Sequence, residues 1–514
     1  MEAGYLKYRY HKRNFRKGTA HTSLVAFMAI FLAFIAATAL SLLFTDKILG
    51  ILTGISLVLG IYPFLHYKKD PTLFAPPYVL SILLLISYPL RLITLLFFSE
   101  YAAIDQHAGL YVGNDTLMRE TMGLIVLGQI GFLIGYYKTP NIFVQKWTEI
   151  SYSFHGSLDE LARKAFFLSY GVWTIQLTRK FTSSGATFST LGSNYSTSTN
   201  QILSWASDLY MFAAALAVVY LAGSHPKKGL DKLLALLALL PPFIQPLIID
   251  PGGKTPLLNI VFVIIASIIL AGRKMRLTYV ILSLAYLVFF VWPFVSSYRD
   301  LALSNGLDRS TTLSISQQAA ISRVALKQAY SERQLDVMIG DFSRRFGAFD
   351  ATLVTLARVP STMQYTYFKD LALVPFVLVP RIIFPIKPVS VTQQQYSVRV
   401  YGMVSGGSAA PFIIGEGYLN GGALGVPILT CAWGIMWAIF YRGFLVPRRK
   451  ELVAIALYAA LLTRFATSFE WALMSMIGLP SFLVVWAPAI YWCTLSGKKQ
   501  IGNRGSLESI TNSP

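Results

Sequence analysis

Charge is scarce in this chain. Only 13% of its 514 residues are Asp, Glu, Lys or Arg, about half of the ~25% usual in soluble domains, while 54% are hydrophobic. That deficit excludes an ordinary water-soluble domain and places the chain in lipid. Acids are scarcer than bases, 24 against 44, which leaves a formal charge of +20. Such an excess invites a nucleic-acid partner, but its placement argues otherwise. Lys7, Arg9, Lys12, Arg13, Arg16 and Lys17 abut the first apolar run with no folded domain behind them. That position retains a segment on the cytoplasmic side of a membrane, and no nucleic-acid partner is expected. Nor does a short apolar region end in a small-residue cleavage site, so no cleavable signal peptide is expected. Cysteine is nearly absent: Cys431 and Cys493 both lie in apolar runs, which excludes a disulfide framework or zinc motif. The six histidines form no pair at ligand spacing, so no metal site is expected.

What the chain has in abundance is apolar runs of membrane-spanning length, which requires roughly 20 residues per helix. Twelve are read, at Leu24–Phe44, Ile48–Leu65, Tyr78–Phe98, Thr121–Tyr137, Leu161–Leu177, Ile202–Ala222, Leu230–Ile249, Thr255–Ala271, Leu277–Val295, Ala423–Leu445, Leu452–Ala466 and Pro480–Leu495. The sequence therefore predicts an all-α polytopic membrane protein with about 12 transmembrane helices. Starting from a cytoplasmic N-terminus, the inside segments hold 25 Lys and Arg and the short outside loops hold six: Lys47, Arg119, Arg179, Lys180, Lys254 and Arg464. This is the asymmetry of the positive-inside rule. The expected organisation is a basic cytoplasmic N-terminus (1–23), helices 1–9 (24–295), a large extracytoplasmic loop between helices 9 and 10 (296–422), helices 10–12 (423–496) and a cytoplasmic, disordered tail (497–514).

The large loop is not a polar linker. Residues 316–358 carry Ile321, Ala325, Met338, Phe342 and Phe346 as the apolar points of an amphipathic helix. Residues 371–386 form a proline-broken apolar stretch suited to the membrane surface or a cavity wall. Basic residues concentrate here, among them Arg299, Arg344, Arg345, Arg381, Lys387 and Arg399. Guanidinium groups beside apolar surface suit an anionic amphiphile such as a lipid-linked diphosphate; Asp341 and Arg345, at i,i+4, also fit a plain helix-surface pair.

Four further positions stand out. Gly252-Gly253-Lys254-Thr255 opens a span, where backbone N–H groups and the lysine favour phosphate, although a tight turn with a snorkelling lysine explains the same residues. Arg91 lies inside a span with no acid nearby in its own helix, so its counter-charge comes from another span or from a ligand phosphate. Glu416 sits among glycines just before the tenth span, where a partly desolvated carboxylate suits a general base; the alternative is a solvated loop glutamate. Glu470, with Arg464 nearby, is a second such candidate, and an ion pair explains it more simply.

Three stretches carry a family resemblance: Pro380-Arg381-Ile-Ile-Phe-Pro385-Ile-Lys387-Pro388, Gly415-Glu416-Gly417-Tyr418-Leu419-Asn420-Gly421-Gly422, and Gly253-Lys254-Thr-Pro-Leu257-Leu258. Together with the span layout, they resemble the Wzy-type O-antigen and exopolysaccharide repeat-unit polymerases. The Glu stretch departs from that family's pattern in having Gly417 after the acid and an extra Gly421 after Asn420. The resemblance implies a glycosyltransferase-C-like membrane fold in a bacterial inner membrane, both termini cytoplasmic. It implies joining of undecaprenyl-diphosphate-linked oligosaccharides by a metal-independent glycosyltransferase with no cofactor, and no Asp-x-Asp motif occurs in the chain. A chain-length regulator and a flippase of the same pathway are the implied partners besides the bilayer. Within this resemblance Glu416 is the first candidate for the base and Asp350 the second. Lys254, Arg91 and the loop arginines would neutralise the leaving diphosphate. The alternatives are a lipid-linked oligosaccharide flippase and an O-antigen ligase.

Overall fold

The computed structural model describes residues 38–65, 74–97, 106–140, 158–182, 208–223, 228–248, 254–273, 292–304, 315–331, 347–377, 392–403, 409–466 and 469–495, with short stretches at 186–187 and 312–313 and a few isolated positions. The architecture is all-helical, the form that satisfies backbone hydrogen bonds within each apolar segment. Helices of eight or more residues among the described residues are α1 (Lys47–Leu65), α2 (Pro76–Ser87), α3 (Pro89–Phe97), α4 (Asp115–Lys138), α5 (Leu158–Thr182), α6 (Leu209–Ala222), α7 (Gly229–Leu237) and α8 (Leu240–Ile248). They continue with α9 (Lys254–Leu270), α10 (Trp292–Ser304), α11 (Ile315–Ser331), α12 (Ala348–Arg358), α13 (Thr392–Arg399), α14 (Phe412–Ala438), α15 (Leu452–Ala466) and α16 (Ala472–Thr494). One two-residue antiparallel pairing, Ala186 opposite Leu313 and Thr187 opposite Thr312, accompanies them.

Four stretches are long and apolar enough to cross a membrane: Lys47–Phe64, Pro76–Phe97, Asp115–Lys138 and Phe412–Arg448. A fifth, Leu452–Arg464 with Phe469–Pro480, is bent by 56°. The expected spans correspond to helices of different lengths. The span expected at 78–98 is broken at Tyr88, between α2 and α3. The one expected at 230–249 divides into α7 and α8. Most residues of the spans expected at 24–44 and 277–295 lie outside the described residues. The loop helix expected over 316–358 is two helices, α11 and α12, and Met338, Phe342 and Phe346 lie outside the described residues. Ile321 and Ala325 do pack, against Phe294, Val295, Tyr298 and Ala302 of α10. The proline-broken stretch begins as a 3-10 turn, Lys369–Leu373, and a short helix, Val374–Val377.

The centre of the molecule is the contact between α4 and α14, made close by glycine. A Cβ at Gly131 would lie 2.8 Å from the Pro427 carbonyl, and one at Gly434 would lie 2.8 Å from the Tyr136 nitrogen. Gly128 faces Val426 and Gly135 faces Cys431 in the same way. Small residues let two backbones approach, the usual device of helix packing in lipid. Numbers rise together along both helices, so α4 and 423–438 run parallel. Around them pack α1 against α4, and α12 and α16 against α14, while α6 packs farther out against α5, α9 and α15; Trp433, Trp437, Trp486 and Phe212 are fully buried.

Polar tethers join helix ends. Arg119 at the start of α4 meets Asp46 ahead of α1 at 2.9 Å, and Arg464 near the end of α15 meets Asp208 ahead of α6 at 3.2 Å. Lys164 near the start of α5 donates to the Trp492 carbonyl at the end of α16, 3.0 Å, and Arg163 lies 3.4 Å from Asp231 at the start of α7. Arg273 after α9 donates to the last carbonyl of α6, 2.6 Å, and Arg442 beyond α14 to Tyr136 near the end of α4, 3.1 Å.

Candidate functional site

The tenth span departs most from expectation. The sequence puts its start at Ala423 and Glu416 in the preceding loop, but helical structure begins at Phe412 and contains Glu416. The cause is the glycine pair that the sequence suggested as loop. Gly421 (φ −166°, ψ 29°) and Gly422 (φ 60°, ψ −148°) leave the helical region, and the left-handed φ of Gly422 is one that glycine adopts without strain. The chain doubles back there. A Cβ on Gly417 would lie 2.7 Å from the Cα of Val426, and Gly425 is in backbone contact with Gly417. Residues eight or nine apart lie about 12–13 Å apart along a straight helix, so 412–420 and 423–438 are the two arms of a helical hairpin. Gly417 and Gly425 are small because the arms touch.

Glu416 therefore sits on the short arm, 2% exposed, level with the first turn of the long arm. Its Oε2 accepts from the Leu473 N–H at 3.0 Å, at the start of α16, and the N–H groups of Ala472 and Met474 also face it. Unpaired N–H groups and the positive end of the helix dipole stabilise a carboxylate at such a site. A second buried acid, Asp370, lies close enough to act on it electrostatically. Of the two settings weighed for Glu416, the solvated loop is not the one seen: this acid is a buried group held by backbone dipoles.

Asn420 ties the hairpin to the loop above it. Its Nδ2 donates to the Glu416 carbonyl, 2.8 Å, and its Oδ1 accepts from Thr366 Oγ1, 2.8 Å, and from the Phe368 N–H, 3.2 Å. The Thr366 N–H in turn donates to Leu419 O at 2.9 Å. On the other side lies α12: a Cβ at Gly415 would meet Thr355 Oγ1 at 3.1 Å and Thr352 Oγ1 at 3.5 Å. Thr355 shares a 2.8 Å hydrogen bond with the Tyr396 hydroxyl of α13. Arg358, at the end of α12, donates to the Tyr111 hydroxyl at 3.2 Å and to the Val400 carbonyl.

The same helix α12 carries Asp350, and the structure brings Asp350 and Arg91 together. Arg91 Nε donates to Oδ1 at 3.1 Å and Nη2 to Oδ2 at 2.7 Å, with the side chains 1% and 3% exposed. The counter-charge of Arg91 thus comes from neither source expected for it, another span or a ligand phosphate, but from a helix of the segment expected as a loop. A bidentate guanidinium occupies both oxygens of Asp350, which sets this acid apart from Glu416 as a candidate base.

Of the remaining predicted residues, only Arg399 has a side chain among the described residues. Lys254 is the first residue of α9 and Arg299 lies within α10, but their side chains, like Arg344, Arg345, Arg381 and Lys387, lie outside the described residues. Arg399 ends α13 with its side chain exposed. Sequence reasoning gave no individual role to Asn420, Thr366 or Asp370, and took Arg358 only as one of the loop arginines. Asn420 was legible as the polar residue of a glycine-rich motif; the others carry no local signal.

A family model described as a domain of unknown function, DUF8712, matches residues 172–442, just over half of the chain. The chain belongs to the DUF8712 family. The matched region spans α12 and the hairpin, so the DUF8712 portion includes Asp350 and Glu416, while Arg91 and the α16 N-terminus that meet them lie outside it. No curated protein and no solved structure shows significant similarity to the chain.

Proposed function

We propose that the chain is a twelve-span polymerase of a bacterial inner membrane, both termini cytoplasmic, that joins undecaprenyl-diphosphate-linked oligosaccharide units into a surface polysaccharide on the outer face. The topology has support in the tethers. Numbered from a cytoplasmic N-terminus, Asp46, Arg119, Asp208 and Arg464 all fall at outer ends, and each pairs with another of the four. Lys164, Trp492, Arg163, Asp231, Arg273, Ala222, Arg442 and Tyr136 all fall at or near inner ends and likewise pair with one another. Two even-numbered spans, α4 and the long arm of α14, run parallel as the numbering requires.

The observation that carries the reaction is Glu416, held at a helix N-terminus inside a hairpin of the outer half of the bundle. In the proposed step Glu416 takes the proton of an acceptor hydroxyl as its oxygen bonds to the anomeric carbon of the donor. The bond from that carbon to the diphosphate oxygen breaks, and the lipid diphosphate leaves as an anion. No acid is needed for such a leaving group, only positive charge, for which Lys254, Arg381 and their neighbours are the candidates. The test is reconstitution of the purified protein with a lipid-linked repeat unit. A ladder of products is expected, and its absence with a correctly folded protein overturns the reading.

A second reading, a lipid-linked oligosaccharide transporter, is favoured by the broken helices at Tyr88, at Gly421–Gly422 and between α15 and α16, since discontinuous helices commonly form transport sites. Deletion separates the two. Loss of a transporter leaves lipid-linked units on the cytoplasmic face, and loss of a polymerase leaves single units exported.

A further inference from the structure

The segment bound to the hairpin by Asn420 presents aromatic rings in a strained conformation. Tyr367 (φ 47°) and Phe368 (φ 56°) both lie in the left-handed region, where a bulky side chain costs of order 1–3 kcal/mol. Strain of this kind persists only where surrounding bonds impose it. Here they do: Thr366 and the Phe368 N–H are fixed on either side by Leu419 and Asn420. The result is that Tyr367 stands 76% exposed with its ring 6.1 Å from Tyr365, which packs edge-on against Tyr418 at 5.7 Å. The Tyr365 hydroxyl donates to that of Tyr418 at 3.3 Å, and the Tyr365 ring lies against Gly422 at the hairpin turn. The Glu120 carboxylate is near enough to Tyr418 to act on it electrostatically. Tyr418 is two residues from Glu416.

We propose that the exposed ring of Tyr367, buttressed edge-on by the half-buried Tyr365 and Tyr418, is a platform on which a pyranose ring of a glycan stacks beside the Glu416 hairpin. A ring face carries partial negative charge and attracts the C–H groups on one face of a sugar, while phenol hydroxyls and a carboxylate at the rim match its hydroxyls. Tyrosines that merely anchor a helix at the bilayer surface need neither backbone strain nor the Asn420 clasp. The assignment of the bound sugar to a reacting glycan rests on the polymerase reading; the platform itself does not.

The test uses the full-length protein in lipid nanodiscs with maltose, cellobiose and N,N′-diacetylchitobiose as probes, read by saturation-transfer NMR. Saturation of the sugar C–H protons is expected for at least one probe. It should persist in Tyr367→Phe, which keeps the ring face, and weaken about tenfold in Tyr367→Ala. No transfer to any probe, or equal transfer in Tyr367→Ala, overturns the platform. So does an effect of Tyr367→Ala seen only as lost quenching by brominated phospholipid, which marks a bilayer anchor. Failure of the two proposals is distinguishable. Probe binding without a polymer ladder overturns the polymerase and leaves the platform. A ladder from Tyr367→Ala with wild-type KM overturns the platform and leaves the polymerase.

Discussion

Two buried carboxylates, Asp350 and Glu416 on the packed helices α12 and α14, are held in opposite ways. Asp350 on α12 faces a guanidinium that binds both of its oxygens. Glu416 on the short arm of α14 faces the N–H groups that open α16. The first carboxylate is neutralised by a full charge from a distant helix; the second is stabilised by dipoles alone. The consequence of removing charge therefore differs. Without Arg91, Asp350 is a charge with no partner in a nearly dry site, whereas an amide at 416 still offers its neighbours an acceptor oxygen. A fixed ion pair serves best as a structural clasp between loop and bundle, and a carboxylate on neutral donors is the one free to gain and lose a proton.

The sharpest break of that comparison is Glu416→Gln. If Glu416 is the base, polymer formation should fall by ~10²–10⁴-fold while unfolding midpoints in detergent stay within about 1 kcal/mol of wild type. The measurement is the product ladder at fixed substrate. Near-normal chain growth would remove Glu416 from the chemistry.

Arg91→Ala should do the reverse, costing roughly 3–5 kcal/mol of stability because it strands a buried charge. Replacing both partners, Arg91→Met with Asp350→Leu, should recover most of that loss, since an apolar pair of similar volume is often neutral. A double variant no more stable than Arg91→Ala would show that Asp350 matters beyond its ion pair. Lys254→Ala and Arg381→Ala come next: each should lower polymerisation by about 10²–10³-fold with little change in stability. Wild-type rates in both would remove the proposed diphosphate handling.

The difference between these acids was only half legible in the sequence. Arg91 announced itself as an expensive intramembrane charge, and its need for a counter-charge followed from physics; which acid met it did not. The pair is 259 residues apart, and nothing local to Asp350 marks it. The apolar runs located α1, α9 and α15 within a few residues, where length and hydropathy decide them, but set the starts of α4 and α16 too far along the chain. They misplaced the start of α14 because Gly415, Gly417, Gly421 and Gly422 read as a loop. Glycine lowers helix propensity in isolation, but at 417 and 425 it is required by contact between two arms, a tertiary fact. Only the turn at 421–422 was visible as glycine chemistry.

The smallest effect supplies the control. Asp46 also holds a helix N-terminus, accepting from the N–H groups of Ile48 and Leu49 at 2.9 and 3.2 Å, but it does so at the start of α1 beside a half-exposed Arg119. Burial pushes its carboxyl up, yet the Leu49 and Ile48 N–H groups and the Arg119 guanidinium outweigh that push, and its pKa is lowered. A depressed carboxylate contributes stability that is fully present above its unfolded pKa, near 3.9, and is lost as pH falls through the folded value. Asp46→Ala should therefore cost about 1 kcal/mol at pH 7, the ordinary worth of a cap, and the deficit should shrink in acid below about pH 4. Arg119→Ala should cost less than about 1 kcal/mol, as exposed pairs do. Neither should alter polymerisation. The midpoint of SDS-induced unfolding at pH 7 and in acid measures the first effect, and the ladder measures the second. A purely capping role for Glu416 predicts that Glu416→Gln behaves like these surface variants, with about 1 kcal/mol or less and no loss of rate; a base predicts a rate loss that no cap can produce.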